Sequence, residues 1–107
     1  MNKTMIIGNL TGDPECSTTQ GGHEVCRLRV AVDRPYQDRN GVRQTDYFTV
    51  TCWGALASNC SKFLEKGRKV AVSGRMENHS YEGRDGQTRY VSEIIADEVE
   101  FLGSPQR

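Results

Sequence analysis

Apolar and polar residues alternate along most of this chain with a period of two, the signature of strands that bury one face. The cleanest run is 25–33. Cys26, Leu28, Val30 and Val32 share one side, and Val25, Arg27, Arg29 and Ala31 share the other. A first strand is predicted over 3–10, stopped by the turn-forming Thr11-Gly12-Asp13-Pro14. After residue 33 the chain turns polar through Arg34-Pro35-Tyr36-Gln37-Asp38-Arg39-Asn40-Gly41, which reads as a long hairpin loop with an Asn-Gly turn. A third strand follows over 45–53. Over 55–64 the period changes to that of a helix, with Leu56, Cys60, Phe63 and Leu64 on one stripe. Lys62 and Lys66 suit the C-terminal end of its dipole, and Gly67 is the expected cap. A fourth strand over 69–78 carries Val70, Val72 and Met76 on one face. Asp85-Gly86 marks a turn, and a fifth strand over 88–102 is expected to contain a bulge.

Five strands with one helix between the third and the fourth is the element order of an all-β OB-fold, a small five-stranded Greek-key barrel. The domain is read as 1–103, with 104–107 as a C-terminal stub. No internal repeat, linker or low-complexity stretch interrupts it.

The third strand carries the most informative pattern. Phe48, Val50 and Cys52 supply an apolar inner face, yet the opposite face holds Tyr47, Thr49, Thr51 and Trp53. A barrel core needs only one apolar face. Two large aromatics on the other side either pack under a loop or subunit, or form a platform on which the flat faces of unpaired bases stack. Tyr36, with Arg34, Arg39 and Arg43 nearby, and Tyr81, with Arg75, Arg84 and Arg89 nearby, favour the platform. Arginine neutralises phosphate and also stacks on bases. The constellation reads as a groove for a single nucleic-acid strand.

Composition tests that reading. The 107 residues suit one domain, and 36% hydrophobic residues with 11 glycines exclude a mainly disordered or fibrous chain. No apolar run is long enough to cross a membrane as a helix. The formal net charge of zero argues at first against a nucleic-acid partner. Residues 1–92, however, hold 13 Lys and Arg against 10 Asp and Glu, and the closing strand holds the compensating acids. A binder without basic excess leans on stacking, so its salt dependence is expected to be shallow.

Met5-Ile6-Ile7 is too short for a secretory signal, which points to a cytoplasmic protein. Cys16, Cys26, Cys52 and Cys60 form no C-x-x-C pair and read as reduced core thiols, two disulfides in a secreted domain being the alternative. No metal ligands or cofactor are assigned. His23 and His79 have no carboxylate or nucleophile partner recognisable from spacing, and phosphate-loop and nucleophile-elbow motifs are absent, so an enzyme is not expected.

The motifs, taken together, resemble those of the DNA-binding domain of bacterial single-stranded DNA-binding proteins. The resemblance runs through Asn2-Lys3, Gly8-Asn9-Leu10 and Asp13-Pro14-Glu15, then Gln44-Thr45-Asp46-Tyr47, Trp53-Gly54 and Leu64 to Gly67. It continues in Val72-Ser73-Gly74-Arg75, Asp85-Gly86-Gln87, Arg89-Tyr90 and Ala96-Asp97-Glu98-Val99 to Gly103. It implies an OB-fold that binds single-stranded DNA without strict sequence preference in replication, repair and recombination, with no cofactor and no catalysis. It implies Tyr36, Tyr47, Trp53 and Tyr81 as stacking residues. It also implies a homotetramer, a dimer of dimers, in which the first strand pairs with its symmetry mate through Thr4, Met5, Ile6 and Ile7. A bacterial, cytoplasmic and nucleoid-associated location goes with it. Members of the family carry an acidic C-terminal tail that recruits other proteins, and this chain stops at Arg107, so tail-mediated recruitment is not expected. The rival readings are an OB-fold replication accessory module of the primosomal kind, with weaker single-strand binding, and an RNA-binding OB-fold.

Overall fold

The computed structural model describes residues 1–103; the predicted stub at 104–107 lies outside the described residues. Its strands are β1 (Thr4–Leu10), β2 (Glu15–Thr18), β3 (Glu24–Gln37), β4 (Arg43–Trp53), β5 (Lys69–Glu82) and β6 (Thr88–Leu102). One helix, α1 (Gly54–Phe63), lies between β4 and β5. The sheet runs β1-β5-β6-β4-β3-β2, and a further β1–β3 pairing closes five of these strands into a barrel. The OB-fold order therefore stands, with β2 added at the rim.

Alternation explains which side chains enter the barrel. Cys26, Leu28 and Val30 from β3 meet Val50 and Cys52 from β4, Val70 and Val72 from β5, and Ile94 from β6, all essentially without solvent contact. Two glycines sit where the wall folds over itself. A Cβ at Gly8 would overlap the Ala31 carbonyl, where β1 crosses to β3. One at Gly74 would overlap the Ile95 carbonyl. The expected bulge in β6 lies there: Ser73 pairs with Glu98 and Gly74 with Ala96, leaving Asp97 over. The extra residue keeps Val99 and Phe101 facing the core that Ile94 faces.

Several local expectations are corrected. β2 is absent from the sequence reading because it is four residues long with every side chain exposed, so no alternation announces it. It pairs Cys16 directly with Cys26, and the two are joined in a disulfide rather than reduced. Cys52 and Cys60 are the buried free thiols, with sulfurs 3.9 Å apart. Their mutual hydrogen bond, with burial adding to it, pushes the Cys52 thiol up.

The helix ends at Phe63, and extended Leu64 closes it by donating its N–H to the Cys60 carbonyl. Gly67 is not the cap. At φ 90° it turns the chain so that its N–H reaches the Leu10 carbonyl. Of the predicted helical stripe, Cys60 and Leu64 are buried and Phe63 is exposed, with its ring 6.3 Å from that of Phe101.

Strands β3 and β4 run past the barrel, and so do β5 and β6. The predicted loop at 34–41 is mostly strand. β3 continues to Gln37, and only residues 38–42 turn, held by the Asp38 N–H to the Val42 carbonyl. β5 continues to Glu82, and residues 83–87 turn. These two arms raise the radius of gyration to 15.4 Å, against about 13 Å for a compact chain of this length. β4 and β6 are parallel and in register only at Val50–Ile94 and Thr51–Ile95. Both arms therefore leave the barrel from the same end and separate beyond that seam. Among the described residues, no helix is long and apolar enough to cross a membrane.

Candidate nucleic-acid interface

Residues opposed in an antiparallel ladder share a face. On β3 and β4 the outward pairs are Val25 with Trp53, Arg27 with Thr51, Arg29 with Thr49, and Ala31 with Tyr47. Thr51 is level with Ile95 on β6, and Ile95 with Arg75 on β5. The outward residues of β5 then continue as Glu77, His79 and Tyr81, opposite Glu93, Val91 and Arg89. One continuous outer face thus crosses four strands from Arg27 to Arg75 and runs along one arm to Tyr81.

The four predicted stacking residues are all exposed: Tyr36 by 61%, Tyr47 by 56%, Trp53 by 47% and Tyr81 by 54%. None is packed under a loop. They are not gathered into one cluster. Tyr47 and Trp53 are six residues apart on β4, roughly 20 Å at strand spacing. Tyr36 and Tyr81 stand on the two arms, inside strands rather than in the loops where the sequence placed them. The spacing suits several bases along an extended strand and does not suit a pocket for one small molecule.

The arginines divide into two groups. Arg34 forms a two-point ion pair with Asp46, Nε at 3.0 Å and Nη2 at 2.9 Å from its oxygens. That hydrogen-bonded pair raises the Arg34 pKa and holds the Asp46 carboxyl below its ordinary range. Arg75 is paired with Glu77 at 2.9 Å and Arg89 with Asp85 at 2.8 Å. Arg39 and Arg84 sit in the tip turns, and Arg43 donates to the Arg34 carbonyl. Among the described residues these last three have no carboxylate partner.

Two arginines on this face were not singled out from sequence. Arg27 and Arg29 are exposed, and the Arg29 guanidinium carbon lies 5.1 Å from the centroid of the Tyr47 ring. Their shared outward face is visible in the β3 alternation; their place beside Tyr47 and Trp53 needs the β3–β4 register. Tyr90 is the most exposed tyrosine and was also missed; it pairs with Ser80 and so lies on the reverse of the arm from Tyr81.

His79 is the other correction. It has carboxylate partners, with Nε2 2.8 Å from Glu93 and 3.6 Å from Glu77. Glu93 also accepts the Thr51 hydroxyl at 2.5 Å. That contact, beneath neighbouring side chains, leaves Thr51 3% exposed although it points outward.

The predicted pairing edge is also placed. Thr4 to Gly8 of β1 pair with β5 on one side, while β3 reaches only Asn9 and Leu10 on the other. The remaining edge is open, and Met5 and Ile7 project from it with 78% and 56% exposure, while Ile6 packs against the core.

The model of the single-strand binding protein family matches residues 1–102. The chain is 42% identical over 103 residues to a protein of Clostridium acetobutylicum named single-stranded DNA-binding protein 3, covering 95% of this chain and 71% of that one. It is 40% identical over 106 residues to single-stranded DNA-binding protein 3 of Listeria innocua, covering 99% and 66%. It is 39% identical over 102 residues to single-stranded DNA-binding protein 1 of Staphylococcus aureus, covering 95% and 65%. The chain thus spans less than two-thirds of the length of some of these curated relatives.

Proposed function

The chain belongs to the single-strand binding protein family, and from that premise we propose that it binds single-stranded DNA along the outer face of β3 and β4 and between the two arms. It is a binding protein and not an enzyme. The observation that carries the reading is the exposure of Tyr47 and Trp53 on the outward side of a barrel strand, flanked by Arg27 and Arg29. Each exposed ring offers a base about 1–3 kcal/mol of stacking. Arg39, Arg43 and Arg84 supply phosphate contacts without first breaking an ion pair. Arg34, Arg75 and Arg89 must exchange a carboxylate for a phosphate and contribute less.

A general single-strand binder of this kind protects exposed strands in replication, repair and recombination, in the bacterial cytoplasm. It works as a homotetramer, a dimer of dimers, in which the open β1 edge pairs with a second copy. An exposed apolar edge strand otherwise invites uncontrolled pairing, and Met5 and Ile7 give that edge an apolar surface. The experiment is a titration with oligo-dT at low salt, following Trp53, the only tryptophan. Quenching that saturates is expected. No binding at low salt overturns the function, and monomers alone in light scattering at micromolar concentration overturn the assembly.

A further inference from the structure

Glu77 of β5 and Glu93 of β6 lie directly opposite each other on the outward face. Like charges opposed across a ladder are destabilising, and these sit on the face that is to receive phosphates. His79, two residues beyond Glu77 and so on the same face, directs Nε2 to Oε1 of both, at 2.8 Å from Glu93 and 3.6 Å from Glu77. The three ligand atoms lie within 4.8 Å of one another. Each carboxylate is held at its other oxygen by a donor from outside the trio. The Thr51 hydroxyl donates to Glu93 Oε2 at 2.5 Å, and Arg75 Nε donates to Glu77 Oε2 at 2.9 Å. Outer donors that fix ligand orientation are the arrangement metal sites use.

We propose that Glu77, His79 and Glu93 bind a divalent transition cation of the zinc class, and that filling this site strengthens binding of single-stranded DNA; the second part rests on the function proposed above. One imidazole nitrogen with two carboxylate oxygens is a borderline donor set, suited to zinc and poorly suited to magnesium or calcium, which favour oxygen alone. Bonds of about 2.0–2.2 Å at a tetrahedral centre separate the donors by roughly 3.4 Å. The two histidine–carboxylate distances bracket that value, so small side-chain movements seat the ion. The fourth position faces away from the sheet, where a phosphate oxygen can enter. The ion cancels the charge of the two carboxylates and turns a repulsive point on the face into a contact. The cysteines do not compete, because Cys52 and Cys60 are buried on the inner side and Cys16 and Cys26 are joined to each other.

The test is titration of the whole chain with zinc chloride against a micromolar fluorescent chelator, with circular dichroism to verify folding. One ion per chain is expected. His79→Gln and Glu77→Gln should each weaken it about tenfold or more, and His23→Gln should not. Absence of zinc binding, or binding unaffected by His79→Gln, overturns the site. Oligo-dT affinity is then compared in zinc and in EDTA. Wild type should bind more tightly in zinc. Glu77→Gln should bind more tightly than wild type in EDTA and gain less from zinc. Zinc occupancy without change in oligo-dT affinity overturns the coupling. A chain that binds oligo-dT in EDTA but takes no zinc loses this inference and keeps its function. One that takes zinc but no oligo-dT loses the function and the coupling together.

Discussion

The guanidinium of Arg29 lies over the ring of Tyr47, 5.1 Å from its centroid. The contact crosses from β3 to β4, and Tyr47 stays 56% exposed beside it. At an exposed site such a contact contributes about 0.5–1 kcal/mol, enough to set the ring angle before a base arrives. Arg29→Ala is expected to weaken oligo-dT binding more than Arg84→Ala, because it removes a charge and frees the Tyr47 ring. Arg29→Lys should recover part of the loss. Equal effects of the two alanine variants in fluorescence titrations would show that the ring contact is idle.

Trp53→Ala should weaken binding by about 1–3 kcal/mol and leave the domain folded. Trp53 begins the helix through its backbone, at φ −123° and ψ 151°, with no side-chain capping bond. Its indole is half in solvent, so little packing is lost. A fall in melting temperature parallel to the fall in affinity would instead make the indole a packing residue.

Salt dependence follows from the division among the arginines. Arg27, Arg29, Arg39, Arg43 and Arg84 have no carboxylate partner among the described residues, while Arg34, Arg75 and Arg89 do. Five phosphate contacts on a single strand give a log–log slope of about −3.5 per chain. A slope of about −5.6 per chain would mean that the three ion pairs open and contribute in full.

How much of this was legible beforehand depends on which contacts are local. The β4 alternation is local, so the placement of Tyr47 and Trp53 opposite Phe48 and Val50 could be read directly. The Cys26–Cys16 bond depends on β2, whose exposed residues carry no period. His79 and Glu93 are fourteen residues apart on different strands, and only the β5–β6 register joins them. Tyr36 read as a loop residue because Pro35 and the surrounding polar residues resemble a turn. The strand continues because an irregularity between Asp33 and Gln37 absorbs the misfit.

The Arg34–Asp46 pair ties β3 to β4 beside that irregularity. Asp46 titrates below its ordinary value because Arg34 hydrogen-bonds its charged form. The pair's contribution is therefore complete above about pH 4 and is lost as pH falls through the depressed pKa. Carbon-detected NMR should show Asp46 titrating below the ordinary aspartate value, and its midpoint rising in Arg34→Ala. An Asp46 midpoint unchanged in that variant would show that the pairing does not persist in solution.

Charge on the open β1 edge should prevent assembly. Ile7→Lys leaves the inward Ile6 and Gly8 in place and puts an ammonium where an apolar side chain projects. A folded species of lower mass is expected in light scattering. An unchanged mass would move the interface elsewhere.

The two arms leave the barrel from one end, and among the described residues their strands do not pair with each other beyond the Val50–Ile94 seam. A strand lying between them enters from the side and never has to be threaded by an end. Single-stranded circles should therefore load as fast as linear strands of equal length in stopped-flow mixing, and a marked lag for circles would show that the arms close over their cargo.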